Sequence, residues 1–325
     1  MLSGCGSSGQ SADASANGGA TEHIALGLAS NTAANWPLYV EQRLDLFKKY
    51  KLDVQVIRVS SVAANAQQLT AGSLDIADIS STQIVEAVQG GAPLRYILNR
   101  VSTPPYEIVA RKGVSSAEQL KGKLVIVGGV NDITRILAEG TLQAAGLAPS
   151  QYDLTYAGGT NERYAALKSG SVGAAILSSP YNFRAEADGG VAIGSVEKLY
   201  HGFPFTGFGV AQAWGRAHHD AVVRFVEAHL DAVKWLYDPQ NRQRAIEILA
   251  SATGTTNDDA GKTYAEVIAR DHAFSTTGAT TPSDMKRVVG ALTQLGQVKG
   301  SPSPESFYDN SYAVDAAKAL AHAGN

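Results

Sequence analysis

Leu-Thr-Ala-Gly-Ser-Leu-Asp-Ile-Ala-Asp-Ile-Ser-Ser-Thr, residues 69–82, aligns without a gap on Leu-Lys-Ser-Gly-Ser-Val-Gly-Ala-Ala-Ile-Leu-Ser-Ser-Pro, residues 167–180, at a constant offset of 98. Leu, Gly, Ser, Ala and the closing Ser-Ser coincide. Each copy reads as a helix ending at glycine (Gly72, Gly170), a short apolar strand, and an exit at a serine pair. Glycine suits the left-handed conformation that closes a helix, because it has no Cβ to clash.

Upstream, the copies begin alike. Residues 24–28 (IALGL) and 124–127 (LVIV) read as buried strands. Each leads through a small polar loop, 29–32 or 128–132, into a helix expected over 37–50 or 133–145. Strands follow over 53–59 and 153–156, then the helices that end at Gly72 and Gly170. Both halves are β-α-β-α-β, which predicts an α/β fold with a mostly parallel sheet in each of two lobes and right-handed crossovers. The length of 325 residues agrees, since one core serves roughly 100–200 residues. Proline-bearing segments at 102–106 (STPPY) and 203–207 (FPFTG) mark two crossings between lobes and are hinge candidates. Amphipathic patterns at 220–237, 243–252, 258–274 and 283–295 supply helices that return to coat the first lobe.

Composition narrows the function. With 27 Lys+Arg against 30 Asp+Glu, 44% hydrophobic and 18% charged residues, the chain is globular and lacks the basic excess that binding nucleic acid requires. No apolar run reaches the 18 or so residues that cross a bilayer. The sole cysteine, Cys5, has no partner for an internal disulfide or a redox pair. Leu2-Ser3-Gly4-Cys5 is similar to the lipobox of bacterial lipoproteins, in which the thiol takes a diacylglyceryl group. The Ser/Gly/Ala/Asn-rich run 6–20 reads as a flexible tether behind it. Only Met1 precedes the box, where a basic and apolar leader is expected, so a start further upstream is anticipated.

Beyond Ile24 the layout resembles the type II periplasmic substrate-binding proteins of ABC importers, in particular the nitrate/sulfonate/taurine and thiamine-precursor-like group. The resemblance is carried by 37–40 (PLYV) through 46–54 (LFKKYKLDV), by 71–77 (AGSLDIA), by 115–123 with its LKGK, and by 170–180. It implies a two-lobed periplasmic-binding-protein fold: tether 1–21, first lobe 22–103 plus 208–325, second lobe 104–207. It also implies a monomeric, lipid-anchored, extracytoplasmic receptor that captures a small-molecule solute without a cofactor or metal. The solute then passes to the transmembrane subunits of an ABC permease.

In open α/β sheets, ligands sit beyond the carboxyl ends of the strands, where helix N-termini offer unpaired N–H groups and about half a positive charge. The loops at those ends are polar and uncharged: Ser30, Asn31; Ser80, Ser81, Thr82; Asn131, Thr134; Ser178, Ser179. The same residue types are preferred helix N-caps, so capping is the competing reading for each. Trp36, Tyr106, Tyr181, Phe205 and the neighbouring Thr206 lie near the same ends, with Asn35 and Asn182 as hydrogen-bonding partners. The aromatics would stack on a planar ligand or serve as core. Arg135 would pair with a carboxylate or sulfonate, or lie on the surface. Asp132 repels an anion at this mouth unless it caps a helix or pairs with Arg135 or Arg100. The family resembled carries small or hydroxyl residues there, so the departure points to a small organic anion (sulfonate, carboxylate or heteroaromatic) over nitrate.

Enzymatic signatures are thin: Gly-x-Ser-x-Gly, His-Glu-x-x-His and Gly-x-x-x-x-Gly-Lys-[Ser/Thr] occur nowhere in the chain. His218-His219 reads as a solvated turn before a helix, with a metal pair as the lesser reading. The alternative function is an enzyme on the same fold acting on a pyrimidine or aromatic precursor, and the expected lipid anchor argues against it.

Overall fold

The computed structural model describes residues 20–323; Cys5 and its tether lie outside them. Ten strands form two five-stranded sheets. They are β1 (Glu22–Leu28), β2 (Leu52–Arg58), β3 (Ile76–Ser80), β4 (Leu94–Val101), β5 (Tyr106–Ala110), β6 (Leu124–Val127), β7 (Asp153–Tyr156), β8 (Ala174–Ser178), β9 (Val191–Ser195) and β10 (Thr206–Ala211).

The sheet orders are β2-β1-β3-β10-β4 and β7-β6-β8-β5-β9, one plan built twice. In each, the first three strands pair in parallel. A fourth runs antiparallel to its neighbours: β10 between β3 and β4, and β5 between β8 and β9. Each antiparallel strand directly follows a crossing, so each sheet is completed by chain arriving from the other. β3 and β8 are buried at every residue, which accounts for their apolar character on both faces, broken in β3 by Asp78.

The repeat holds at the level of single residues. Helices Val62–Thr70 and Thr160–Lys168 and strands β3 and β8 all begin and end 98 residues apart. Gly72 and Gly170 take φ of 72° and 78°, the left-handed turn that only glycine enters without strain.

Two expected helices differ. The one anticipated over 37–50 is Trp36–Arg43 followed by a single turn at Leu46–Lys49, because Asp45 enters the left-handed region (φ 53°) and breaks the ladder. The one anticipated over 258–274 is an α-helix, Asn257–Thr263, that widens into a π-helix, Tyr264–Arg270. A further helix, Ser311–Ala323, had no counterpart in the expectation. It packs on His219–Tyr237, which in turn lies on Trp36–Arg43. Chain beyond the second crossing thus covers the first sheet.

Candidate functional site

The carboxyl ends of the parallel strands of both sheets face one another across a cavity of about 60 Å³. Its wall from the first lobe includes Ser30, Thr32, Asn35, Ser61, Asp78 and Ser80; from the second come Asp132, Thr134, Gly158, Thr160 and Arg163. Tyr106 and Phe205, one from each crossing, meet edge to face with centroids 5.3 Å apart and close the hinge side. Gly158 faces Ser60 and Ser61 across a gap that a single methyl group would close: a Cβ built on it would lie 3.9 Å from the Ser60 carbonyl oxygen and the Ser61 Cβ.

Two buried arginines dominate the electrostatics, and they differ. Arg100, fully buried on β4, donates from Nη2 to Asp78 Oδ1 at 2.6 Å and from Nη1 to Asn35 Oδ1 at 2.6 Å. Asp78 also accepts from Thr206 Oγ1 at 2.7 Å. This network joins the end of β4, which enters the first crossing, to the start of β10, which leaves the second. Its charges cancel, as a buried pair must to offset desolvation.

Arg163 is 2% exposed and is held in place by carbonyl groups. Nε donates to Ile176 O at 2.9 Å, and Nη1 to Ala157 O and Gly158 O at 3.0 and 3.1 Å. Among the described residues it forms no salt bridge, and the side chain that meets it is the neutral Tyr106 hydroxyl. Burying an unpaired charge is expensive, so this guanidinium is poised for an anion. The Tyr106 hydroxyl senses the same surroundings: burial raises its pKa most, the Arg163 charge lowers it, and Asp132 and Asp78 raise it.

Asp132 resolves as a cap. Its Oδ1 accepts from Thr134 N at 2.8 Å and from Thr134 Oγ1, at the start of helix Ile133–Ala144. Thr134 Oγ1 in turn accepts from Gly128 N at 2.7 Å, which fixes the loop after β6.

Of the residues singled out in the sequence, Ser30, Asn35, Ser80, Tyr106, Asp132, Thr134, Phe205 and Thr206 line the cavity. Ser80 both caps helix Ser81–Gln89, accepting from Gln83 N, and borders the cleft, so the two readings of this serine coincide.

The remaining candidates are drawn elsewhere, each by a stronger partner. Trp36 is no stacking surface: it is fully buried, its indole donates to Ala245 O at 3.1 Å, and its ring meets Tyr264 edge to face. Ser81 donates to Pro204 O and Thr82 bonds Ser80, pinning the helix start to the second crossing. Arg135 is ion-paired with Glu139 at 2.9 Å on its own helix, in place of a ligand. Asn131 accepts from Gln297 at 2.8 Å, and Asn31 is tucked beside the cleft without lining it. Ser178 is buried, and Ser179 donates to Glu266 while its carbonyl receives Ala33 N, which links the lobes. Tyr181 packs against Tyr164, and Asn182 donates to Glu107.

Sequence reasoning missed Arg163, Thr160 and Asp78. The available signal was the repeat itself, because an offset of 98 places Arg163 opposite Asn65 and Thr160 at the corresponding helix start. His218 pairs with Glu22 and stacks on Trp214. Among the described residues no cluster of three or more His, Cys, Asp or Glu could hold a metal, and no helix is long and apolar enough to cross a membrane.

A family model described as the NMT1-like family matches residues 18–250. The bicarbonate transport ATP-binding protein CmpC of Synechocystis sp. is 24% identical over 235 residues, 66% of this chain and 35% of that protein. The chain therefore spans about a third of the length of this curated relative. Among solved structures, the alkanesulfonate-binding protein SsuA from Xanthomonas axonopodis pv. citri, bound to MOPS, superposes with a TM-score of 0.74 at 17% identity, over 89% of this chain and 99% of that one. The periplasmic nitrate-binding protein NrtA from Synechocystis PCC 6803 gives 0.76 at 15% identity, over 93% and 89%.

Proposed function

The chain belongs to the NMT1-like family, and from that premise we propose that it is the extracytoplasmic solute-binding protein of an ABC importer. It captures a small organic anion between its lobes and delivers it to the permease. In this reading segments 22–103 and 208–325 form one lobe and 104–207 the other. The crossings act as hinges, and Cys5 anchors a monomer to the membrane through lipid.

The observation that carries the reading is Arg163: a buried guanidinium in a cleft shared by both lobes, without an acid to neutralise it. A closed form that excludes water strengthens any charge-assisted bond made there. Closure draws its free energy from contacts that only the closed state makes. The similarity to alkanesulfonate-binding SsuA, nitrate-binding NrtA and the bicarbonate-transport protein CmpC, all concerned with small anions, supports the same reading.

The test is a thermal-shift and calorimetric panel of sulfonates, aromatic carboxylates, nitrate, bicarbonate and pyrimidines, with recovery of each compound afterwards. A ligand at 100 times its Kd adds about 2.7 kcal/mol to stability. Binding with the compound recovered unchanged supports the receptor. Chemical turnover establishes the enzyme alternative, and no shift with any compound overturns the reading.

A further inference from the structure

The cleft contains two opposite charges that do not satisfy each other. Arg163 and Asp132 line the same cavity of about 60 Å³, yet no ion pair joins them, and among the described residues neither has a salt-bridge partner. Both are fixed in place, Arg163 by its three carbonyls and Asp132 by its role as helix cap. The cap occupies Oδ1 only, and Oδ2 has no protein donor among the described residues. Glu86 on the facing lobe, whose carboxyl is raised in pKa by burial first and by the Asp132 charge second, brings no cation to Asp132. The Asp78–Arg100 pair contributes nothing net, since it is already neutralised. A bare anion would satisfy Arg163 while sharing a cavity of this size with an uncompensated carboxylate, where the repulsion is screened less than in bulk water.

We infer that the guest is dipolar, with an acidic head held by Arg163 and a cationic or strongly donating group held by Asp132. This rests on the receptor reading and specifies the class of its ligand. The shortness of the cavity limits the spacing between the two poles to a few bonds. Asp132 is then a specificity-determining residue: it admits compounds that carry the second pole and rejects those that lack it, as an unpaired buried polar group does.

The experiment uses matched pairs with one carbon skeleton each: β-alanine against propionate, and 3-aminopropanesulfonate against propanesulfonate. Calorimetry is run on the wild type, Asp132→Asn and Arg163→Asn. Asparagine retains the N-cap at position 132, so that variant alters charge with little change in folding. The expected result is that the amino member of at least one pair binds the wild type roughly tenfold or more tighter than its partner. Asp132→Asn erases that preference, and Arg163→Asn weakens both members. Equal or tighter binding of the unsubstituted acid, still lost in Arg163→Asn, overturns the dipolar guest and leaves the receptor standing. If none of the four binds while an anion of the wider panel does, the same holds. If nothing in either panel binds, both fall.

Discussion

Asn65 and Arg163 are the same position in the two halves of the chain. Asn65 Nδ2 donates to the Asp78 carbonyl at 2.7 Å and Arg163 Nε donates to the Ile176 carbonyl at 2.9 Å. Donors and acceptors alike are 98 residues apart. The shared duty is to tie a helix to the central parallel strand, and the second copy adds a charge to it. Arg163→Asn is therefore expected to keep the bond to Ile176, and its loss of the Nη1 bonds to Ala157 and Gly158 is offset by removal of a buried charge that has no acid partner. Its urea midpoint should stay close to wild type, while anion affinity falls by about 2–3 kcal/mol, the worth of a hydrogen bond to a charged group. Parallel calorimetry and denaturation check this, and a variant that binds normally removes Arg163 from the site.

The repeat was readable because its signals are local: glycine at two helix ends, apolar strands between them, serine where each strand stops. The exchange of strands was not. Nothing within Thr206–Ala211 or Tyr106–Ala110 says which sheet will accept it, since that choice depends on pairing with residues as far off as Ile76, 134 positions from its partner Val210. At the site, hydroxyl-rich corners could be found as helix caps: Ser80 does cap and also lines the cleft, while Thr134 lines it and holds the loop before its helix through Gly128 N. Arg163 escaped notice because a charge inside a helix ordinarily reads as a solvated face. Its burial depends on carbonyls from β8 and the loop after β7. Trp36 misled for the converse reason, its indole partner lying 209 residues onward.

Ser80 and Ser178 are repeat equivalents with unequal surroundings, which separates capping from binding. Ser80 Oγ accepts from Gln83 N and borders the cavity, whereas Ser178 Oγ is buried with no hydrogen-bond partner. Ser80→Ala should cost about 1 kcal/mol of stability through the lost cap and also weaken ligand binding. Ser178→Ala should leave binding untouched and stability equal or slightly higher, because it deletes an unsatisfied buried hydroxyl. Urea titration with calorimetry on both single variants distinguishes them; loss of binding in Ser178→Ala would place the site deeper than the cavity described.

Glu41 and His229 are both fully buried and joined through Oε1 and Nδ1 at 2.6 Å, between helices Trp36–Arg43 and His219–Tyr237. Their remaining atoms, Glu41 Oε2 and His229 Nε2, have no partner. Removing one member strands the other in the core, so Glu41→Ala should destabilise by about 3–5 kcal/mol. Replacing both with apolar residues of similar volume, Glu41→Met with His229→Phe, should recover most of that loss or exceed the wild type. Chemical denaturation of the two singles and the double closes the cycle. A double variant as unstable as the singles combined would show that the pair does more than satisfy itself.

Glu86 gives the interface between the lobes a pH dependence of predictable sign. It lies on helix Ser81–Gln89, which packs against helix Ile133–Ala144 of the other lobe. Its carboxyl is raised from 4.5 to about 7, by burial first and by the Asp132 charge second. Between those two values the folded protein holds a proton that the unfolded chain has released. Linkage then makes stability fall as pH rises. The contribution is complete below pH 4.5 and gone once pH passes about 7, where the group is charged in both states and burial opposes it. Glu86→Gln carries no proton to lose, so its melting temperature should match the wild type near pH 4.5 and exceed it at pH 8. The gap should open between the two pKa values. Asp132→Asn removes the second cause and should shift the midpoint of the wild-type decline to lower pH without abolishing it, because burial remains. Melting curves of all three proteins across this range give the answer. Wild-type and Glu86→Gln curves that stay parallel would mean that the carboxyl is solvated and the lobes do not press upon it.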